Sequence, residues 1–255
     1  MSIELQAILA SALSSLLGLT GGFLLLWKYN SVKRFSTLFV SFAAGALLGA
    51  VFFDLLTEGA MEFPDQINAL FMWVAGGFLL FFIIEKVLLW HHHEHSDEEG
   101  VDHKHVLGPM IIFGDAVHNF IDGTIVAAAF LVDPGLGMAT AIAVFFHEIP
   151  QEIGDFSVMI SAGMARSKVV LWNLVGALVS PIATVLTLIA AERIENLEMP
   201  LLGIAAGSFL YIAAADLIPE IHRQKGSRAT LTQLFLLVVG MLVILGAGII
   251  FPHQH

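Results

Sequence analysis

The sequence predicts an all-α membrane protein with eight transmembrane helices, on three observations. The 255 residues are 57% hydrophobic and only 13% charged, whereas ordinary soluble domains carry about 25% charged residues. The apolar residues gather in runs of about 20, the length that crosses a hydrocarbon core, separated by short polar stretches. Ten of the eleven Lys and Arg residues fall in alternate loops, the bias that orients polytopic chains.

The first run, 4–27, has no basic leader and is too long for a signal-peptide core, so it is expected to remain as a span. Lys28, Lys33 and Arg34 follow it and lead into 36–57. Glu58, Glu62 and Asp65 make the next loop acidic before 67–90. Lys86 and Lys104 flank the third loop, whose His-rich stretch 91–105 reads HHHEHSDEEGVDHKH. Such a tract suits either weak metal capture or a solvated linker. Spans 106–131 and 136–162 are separated by Asp133, and Arg166 and Lys168 precede 168–190. Arg193 stands alone among Glu192, Glu195 and Glu198 before 200–221, and Arg223, Lys225 and Arg228 precede 230–251. Odd-numbered loops are therefore expected in the cytoplasm, with even-numbered loops and both termini outside a plasma or inner membrane.

Composition excludes several classes. With no cysteine, disulfides, thiolate metal sites and cysteine nucleophiles are ruled out. A net charge of −11 argues against nucleic acid as a partner. No GxxxxGK[ST] string occurs, so ATP-driven pumping through a P-loop is not expected.

The chain also echoes itself. AAGALLGAVFFDLLTE at 43–58 aligns without gaps to AAGSFLYIAAADLIPE at 205–220. On the loop charges the two segments run in opposite directions, the relation of an inverted repeat. Spans one to three would then mirror six to eight around a central pair, four and five.

That pair carries the chemistry. GDAVHNFIDG at 114–123 and HEIPQEIGD at 147–155 set two histidines and five carboxylates inside apolar runs. Ionised groups at that depth persist where they pair, line a water path or bind an ion. Asp115, His118, Asn119 and Asp122 recur at spacings of three and four, so they share one helical face. Glu148, Gln151, Glu152 and Asp155 repeat the pattern, with His147 one turn before Gln151. Two such stripes can enclose an ion between helices. Cross-linking by hydrogen bonds could account for one or two of these residues, but not for all of them. Imidazole with carboxylate and amide oxygens suits zinc, iron(II) or manganese better than calcium, magnesium or copper(I). Pro150 lacks an amide hydrogen, so the Phe146 carbonyl loses its helical donor and a bend is expected beside His147.

HNFIDG followed by HEIPQEIGDF resembles the paired signatures of the ZIP (Zrt/Irt-like) metal transporters. The resemblance implies eight spans, external termini, a His-rich third loop and inverted three-helix repeats. It implies that His118, Asn119, Asp122, His147, Glu148 and Gln151 form a one- or two-metal transport site, with Asp122 and Glu148 as bridges. The cargo would be a divalent metal (zinc, iron, manganese or cadmium), with no prosthetic group, in a lipid bilayer and with a homodimer as one arrangement. Many members have proline and glutamate where this chain has Ile121 and Asp122, which implies a straighter fourth helix and a shorter carboxylate reach. Gln151 stands where many have histidine or glutamate; Glu152 is the donor that could compensate. Asp54 and Asp216, paired in the repeat, match entrance or exit residues of the family.

A competing class is an intramembrane zinc hydrolase or protease. His147 and Glu148 begin an HExxH-like string, but Gln151 replaces the second histidine, so the helix alone does not supply the paired ligands that chemistry needs.

Overall fold

The computed structural model describes residues 1–96, 103–194, 196–223 and 227–251. Residues 97–102, together with the side chains of the six histidines of the third loop, lie outside the described residues.

The fold is all-α. Helices α1 (Ile3–Gly18) and α2 (Thr20–Trp27) form the first span, α3 (Tyr29–Gly49) and α4 (Leu56–Glu62) the second, and α5 (Ile67–Ser96) the third. The central pair is α6 (His103–Val132) and α7 (Pro134–Ser161). Helices α8 (Arg166–Ala177) and α9 (Val179–Ala191) form the sixth element, α10 (Glu198–Tyr211) and α11 (Ile218–His222) the seventh, and α12 (Ser227–Ile250) the last. Among the described residues seven helical stretches are long and apolar enough to cross a membrane. The eighth, α7, has 28 residues and therefore the length to span, but Glu148, Glu152 and Asp155 lower its apolarity.

Local chemistry sets the helix starts. Ser2 caps α1 by accepting from the Leu5 amide. Between α6 and α7 the chain breaks at one residue: Asp133 accepts the Leu136 amide at 3.0 Å, and Pro134 occupies the first turn, where its missing amide hydrogen costs nothing. So short a connection turns the two central helices antiparallel. Helix α7 runs on through Pro150 without interruption, and α6 is likewise continuous past Ile121.

The internal echo extends into packing. A π segment, Ala50–Leu55, joins α3 to α4, and another, Ile212–Leu217, joins α10 to α11. In each, the same aligned position makes the i→i−5 bond: Leu56 N–H donates to Val51 O, and Ile218 N–H to Ala213 O. Helix α3 packs chiefly on α12 and α10 on α5, while α1 packs on α7 and α9 on α6. The same glycines set the close approaches. A Cβ on Gly45 would lie 1.9 Å from the Leu237 carbonyl oxygen and one on Gly240 2.1 Å from that of Phe42. Their counterparts Gly207 and Gly77 would meet the Val74 and Ile204 oxygens at 2.0 and 2.4 Å. Small residues at such crossings let backbones touch, the packing that holds helices together in lipid.

The central pair packs inside the bundle, together with the second and seventh spans, which are buried as deeply as α6. Over its most apolar window, α6 is 56% buried, against 22% for α5 and for α12. The latter two present Phe71, Met72, Leu79, Leu231, Leu234 and Phe235 outward, as lipid-facing helices do. Hydroxyls stitch α1, α6 and α9 together: the Ser11 and Ser180 oxygens lie 2.9 Å apart, and Thr184 donates to the Gly123 carbonyl at 2.9 Å.

Candidate metal centre

The two polar stripes face each other. His118 and Asp122 are one turn apart on α6, His147 and Glu148 are adjacent on α7, and one donor atom from each lies within 4.8 Å of the others. His118 Nε2 is 3.2 Å from His147 Nε2, 3.5 Å from Asp122 Oδ2 and 3.6 Å from Glu148 Oε1. His147 Nε2 is 3.0 Å from Asp122 Oδ2 and 3.9 Å from Glu148 Oε1. Four donors about 2.1 Å from a tetrahedral zinc would stand about 3.4 Å from one another. The observed spacings bracket that value.

Of these atoms the two Nε2 nitrogens lie within hydrogen-bond distance of each other, while the carboxylate oxygens face inward without partners. His147 Nδ1 lies 3.2 Å from the Ala143 carbonyl oxygen, and a carbonyl only accepts, so Nδ1 is the donor there and Nε2 is the nitrogen that faces the centre, with a lone pair to offer in the neutral ring. Asp122 Oδ2, for all its closeness to His147, makes no hydrogen bond, and neither does Glu148 Oε1. Asp122 is fully buried and Glu148 and His147 are 1% exposed, while His118 retains 15%. Several buried lone pairs aimed at one point repel unless a cation or proton stands between them. With both carboxylates ionised and both imidazoles neutral, the four would carry a charge of −2, the complement of a divalent ion.

The remaining sequence candidates lie around this group rather than in it. Asn119 is fully buried, and its amide donates to the Asp115 backbone oxygen at 3.2 Å and to Asp115 Oδ1 at 2.9 Å. Its own Oδ1 has no hydrogen-bond partner. Gln151 is half-buried one turn beyond His147. Glu152 is 1% exposed with neither oxygen hydrogen-bonded; its acidic neighbours are Asp115 and Asp155. Asp115, which shares the α6 stripe, acts here as the holder of Asn119.

Two glycines that the sequence pattern does not single out make room for the polar stripes of α6 and α7. A Cβ on Gly18 of α1 would lie 2.6 Å from Glu148 Cβ, and one on Gly176 of α8 2.0 Å from Asp115 Oδ2. Glycine is common in membrane helices, so neither position announces itself in the sequence.

The exposed edge of His118 opens on a cleft of about 130 Å³ between α5, α6 and the π segment after α10. Its polar lining is Glu85, His118, Tyr211 and Asp216. Asp216 thus lines the approach to the centre, whereas its repeat partner Asp54 is 3% exposed inside its own π segment.

Comparison with known proteins agrees with this geometry. The family model described as ZIP zinc transporter matches residues 1–108 and 89–248. Zinc transporter ZIP6 of Homo sapiens is 36% identical over 156 residues, 58% of this chain and 20% of its own length. Zinc transporter foi of Drosophila melanogaster is 41% identical over 140 residues, 55% of this chain and 19% of its own. Zinc transporter ZIP13 of Pongo abelii is 32% identical over 219 residues, 80% of this chain and 64% of its own. The chain thus spans about a fifth of the length of the first two and just under two thirds of the third. With the family model matching nearly end to end around a buried His-Asp-His-Glu centre, this chain belongs to the ZIP zinc transporter family.

Proposed function

We propose that this protein carries divalent transition-metal ions, zinc foremost, across a cell membrane toward the cytoplasm through the centre between α6 and α7. The single observation that carries the reading is the convergence of four inward-facing donors, from two helices, at the buried middle of a polytopic bundle. Their nitrogen and oxygen donors suit zinc, with iron(II) and manganese next. Without thiolate the centre binds less tightly than a structural zinc site, which a carrier that must release its cargo requires. His118, Asp122, His147 and Glu148 form the primary shell; Asn119, Gln151 and Glu152 serve as neighbouring oxygen donors as the ion moves. The names of the relatives, all zinc transporters, support the cargo. The partition of basic residues supports external termini and a cytoplasmic third loop, whose histidines buffer the arriving metal. A hydrolase reading finds no support, since the second imidazole comes from α6 rather than from an HExxH pair on α7.

The test is uptake of radiolabelled zinc by proteoliposomes under imposed pH and voltage gradients. Flux is expected for the unaltered chain. It is expected to be abolished by His118→Ala, Asp122→Ala or Glu148→Ala in protein that stays folded in detergent. Full uptake by all three variants would overturn the site.

A further inference from the structure

Two of the residues that line the cleft beside His118, Tyr211 and Glu85, are joined by a hydrogen bond. Tyr211, the last residue of α10 before the π segment, is 7% exposed. Its ring packs against Phe78, Phe81 and Phe82 of α5, with centroids 5.1, 6.3 and 6.4 Å away. The ring is thereby fixed, and its hydroxyl donates to Glu85 Oε2. Glu85 and Asp216 line the same cleft as His118. A cavity needs only about 10–15 Å³ to hold one water, so the cleft of about 130 Å³ has room for an ion with part of its hydration shell. Glu85 lies past the midpoint of α5, toward its third-loop end, and Gly114, on the cleft wall, precedes His118 on α6. The cleft therefore runs from the centre toward the third-loop end of the bundle.

We propose that Tyr211 is a latch on this passage: its hydroxyl holds the Glu85 carboxylate against α10, and an ion leaving His118 passes by exchanging that hydrogen bond for coordination by Glu85, with Asp216 beside it. The relative strengths permit the exchange. A hydroxyl-carboxylate bond is charge-assisted and fixes a side-chain conformation, but the local charge of a divalent ion outcompetes it for the carboxylate. No covalent bond changes; the tyrosine keeps its proton and turns it to water. Tyr211 acts through Glu85 and is a positioning residue. This inference rests on the transport reading above.

The experiment compares initial zinc uptake in proteoliposomes for the unaltered chain, Tyr211→Phe, Glu85→Gln and the double variant. Phenylalanine keeps the ring packing and deletes only the hydroxyl. Tyr211→Phe is expected to raise the maximal rate roughly three- to tenfold, a fraction of what a hydrogen bond to a charged group is worth. KM should not move, because the four donors of the centre are untouched. Glu85→Gln should lower the maximal rate, and adding Tyr211→Phe to it should change nothing further. An unchanged rate in Tyr211→Phe, or the same change in both backgrounds, would overturn the latch and leave transport standing. A spectroscopic arm needs no flux. Tyr29 and Tyr211 are the two tyrosines, so Tyr29→Phe isolates Tyr211 for ultraviolet resonance Raman in detergent. Zinc is expected to shift its hydroxyl-sensitive band away from the strong-donor position, and Glu85→Gln to abolish that shift. No shift at saturating zinc would overturn the latch whatever becomes of the transport reading.

Discussion

At the scale of single residues, the decisive fact is which ring nitrogen of His147 carries the proton. The Ala143 carbonyl holds it on Nδ1 and commits Nε2 to the centre, an outer-shell contact of the kind worth about 10- to 100-fold in metal affinity. Since every donor binds only when deprotonated, protons compete with the metal. Zinc affinity is therefore expected to fall as pH drops from neutral toward acid, measured by titration with correction for metal speciation; a flat profile would count against the His-carboxylate centre. Gln151 gives a second prediction. It sits one turn beyond His147 on the same helical face, so Gln151→His should add an imidazole within reach, tighten zinc binding by roughly tenfold or more on the scale of ligand effects, and slow turnover as release becomes limiting. Calorimetry and single-turnover efflux would separate the two effects. The stripe itself was readable in the sequence, because spacings of three and four fix a helical face. That Asn119 would be held by Asp115 was not, since spacing says nothing about side-chain torsion.

At the scale of elements, hydropathy located the helical runs but not how they touch. The pattern cannot say that α1 passes so close to α7 that Gly18 faces Glu148, nor that α10 lies on α5 with Gly207 and Gly77 interlocked. Helix contacts in lipid are set by small-residue complementarity rather than by burial of an apolar stripe, so amphipathicity is mute about partners. Two substitutions separate site from scaffold. Gly18→Ala would set its Cβ 2.6 Å from Glu148 Cβ and force α1 and α7 apart, so it is expected to cut zinc affinity together with a lowered melting temperature, read by calorimetry on detergent-purified protein. Gly45→Ala meets backbone at 1.9 Å and cannot be relieved by a side-chain rotation. It should cost about 1–3 kcal/mol, the usual scale of overpacking, seen as a lowered melting temperature with metal affinity unchanged in the fraction that stays folded.

At the scale of the molecule, the charge partition makes a prediction that the absence of cysteine renders easy to check. Single cysteines at Asn196, in the sixth loop, and at Lys168, in the first turn of α8 beside the fifth loop, fall on opposite sides by the loop charges. A membrane-impermeant maleimide applied to intact cells should label the first and not the second; the reverse pattern would invert the proposed orientation. The His-rich loop belongs to this scale too. Deleting 92–104 is expected to leave flux running and to alter its apparent affinity or regulation, checked by uptake in cells and liposomes.

The paired π segments have a consequence best put as rotation. Each residue of an α-helix advances the facing direction by about 100°, and a π turn holds one residue more than the α turn it replaces, so the helix beyond it is set back by roughly that angle. Glu58, 1% exposed, and its repeat partner Glu220 both stand beyond such a turn. Because both halves carry the setback at the same aligned position, their far ends keep a common phase about the central pair. Loss of one residue from only one π segment would leave α4 and α11 about a third of a turn out of step, although the length and hydropathy of the span would hardly change.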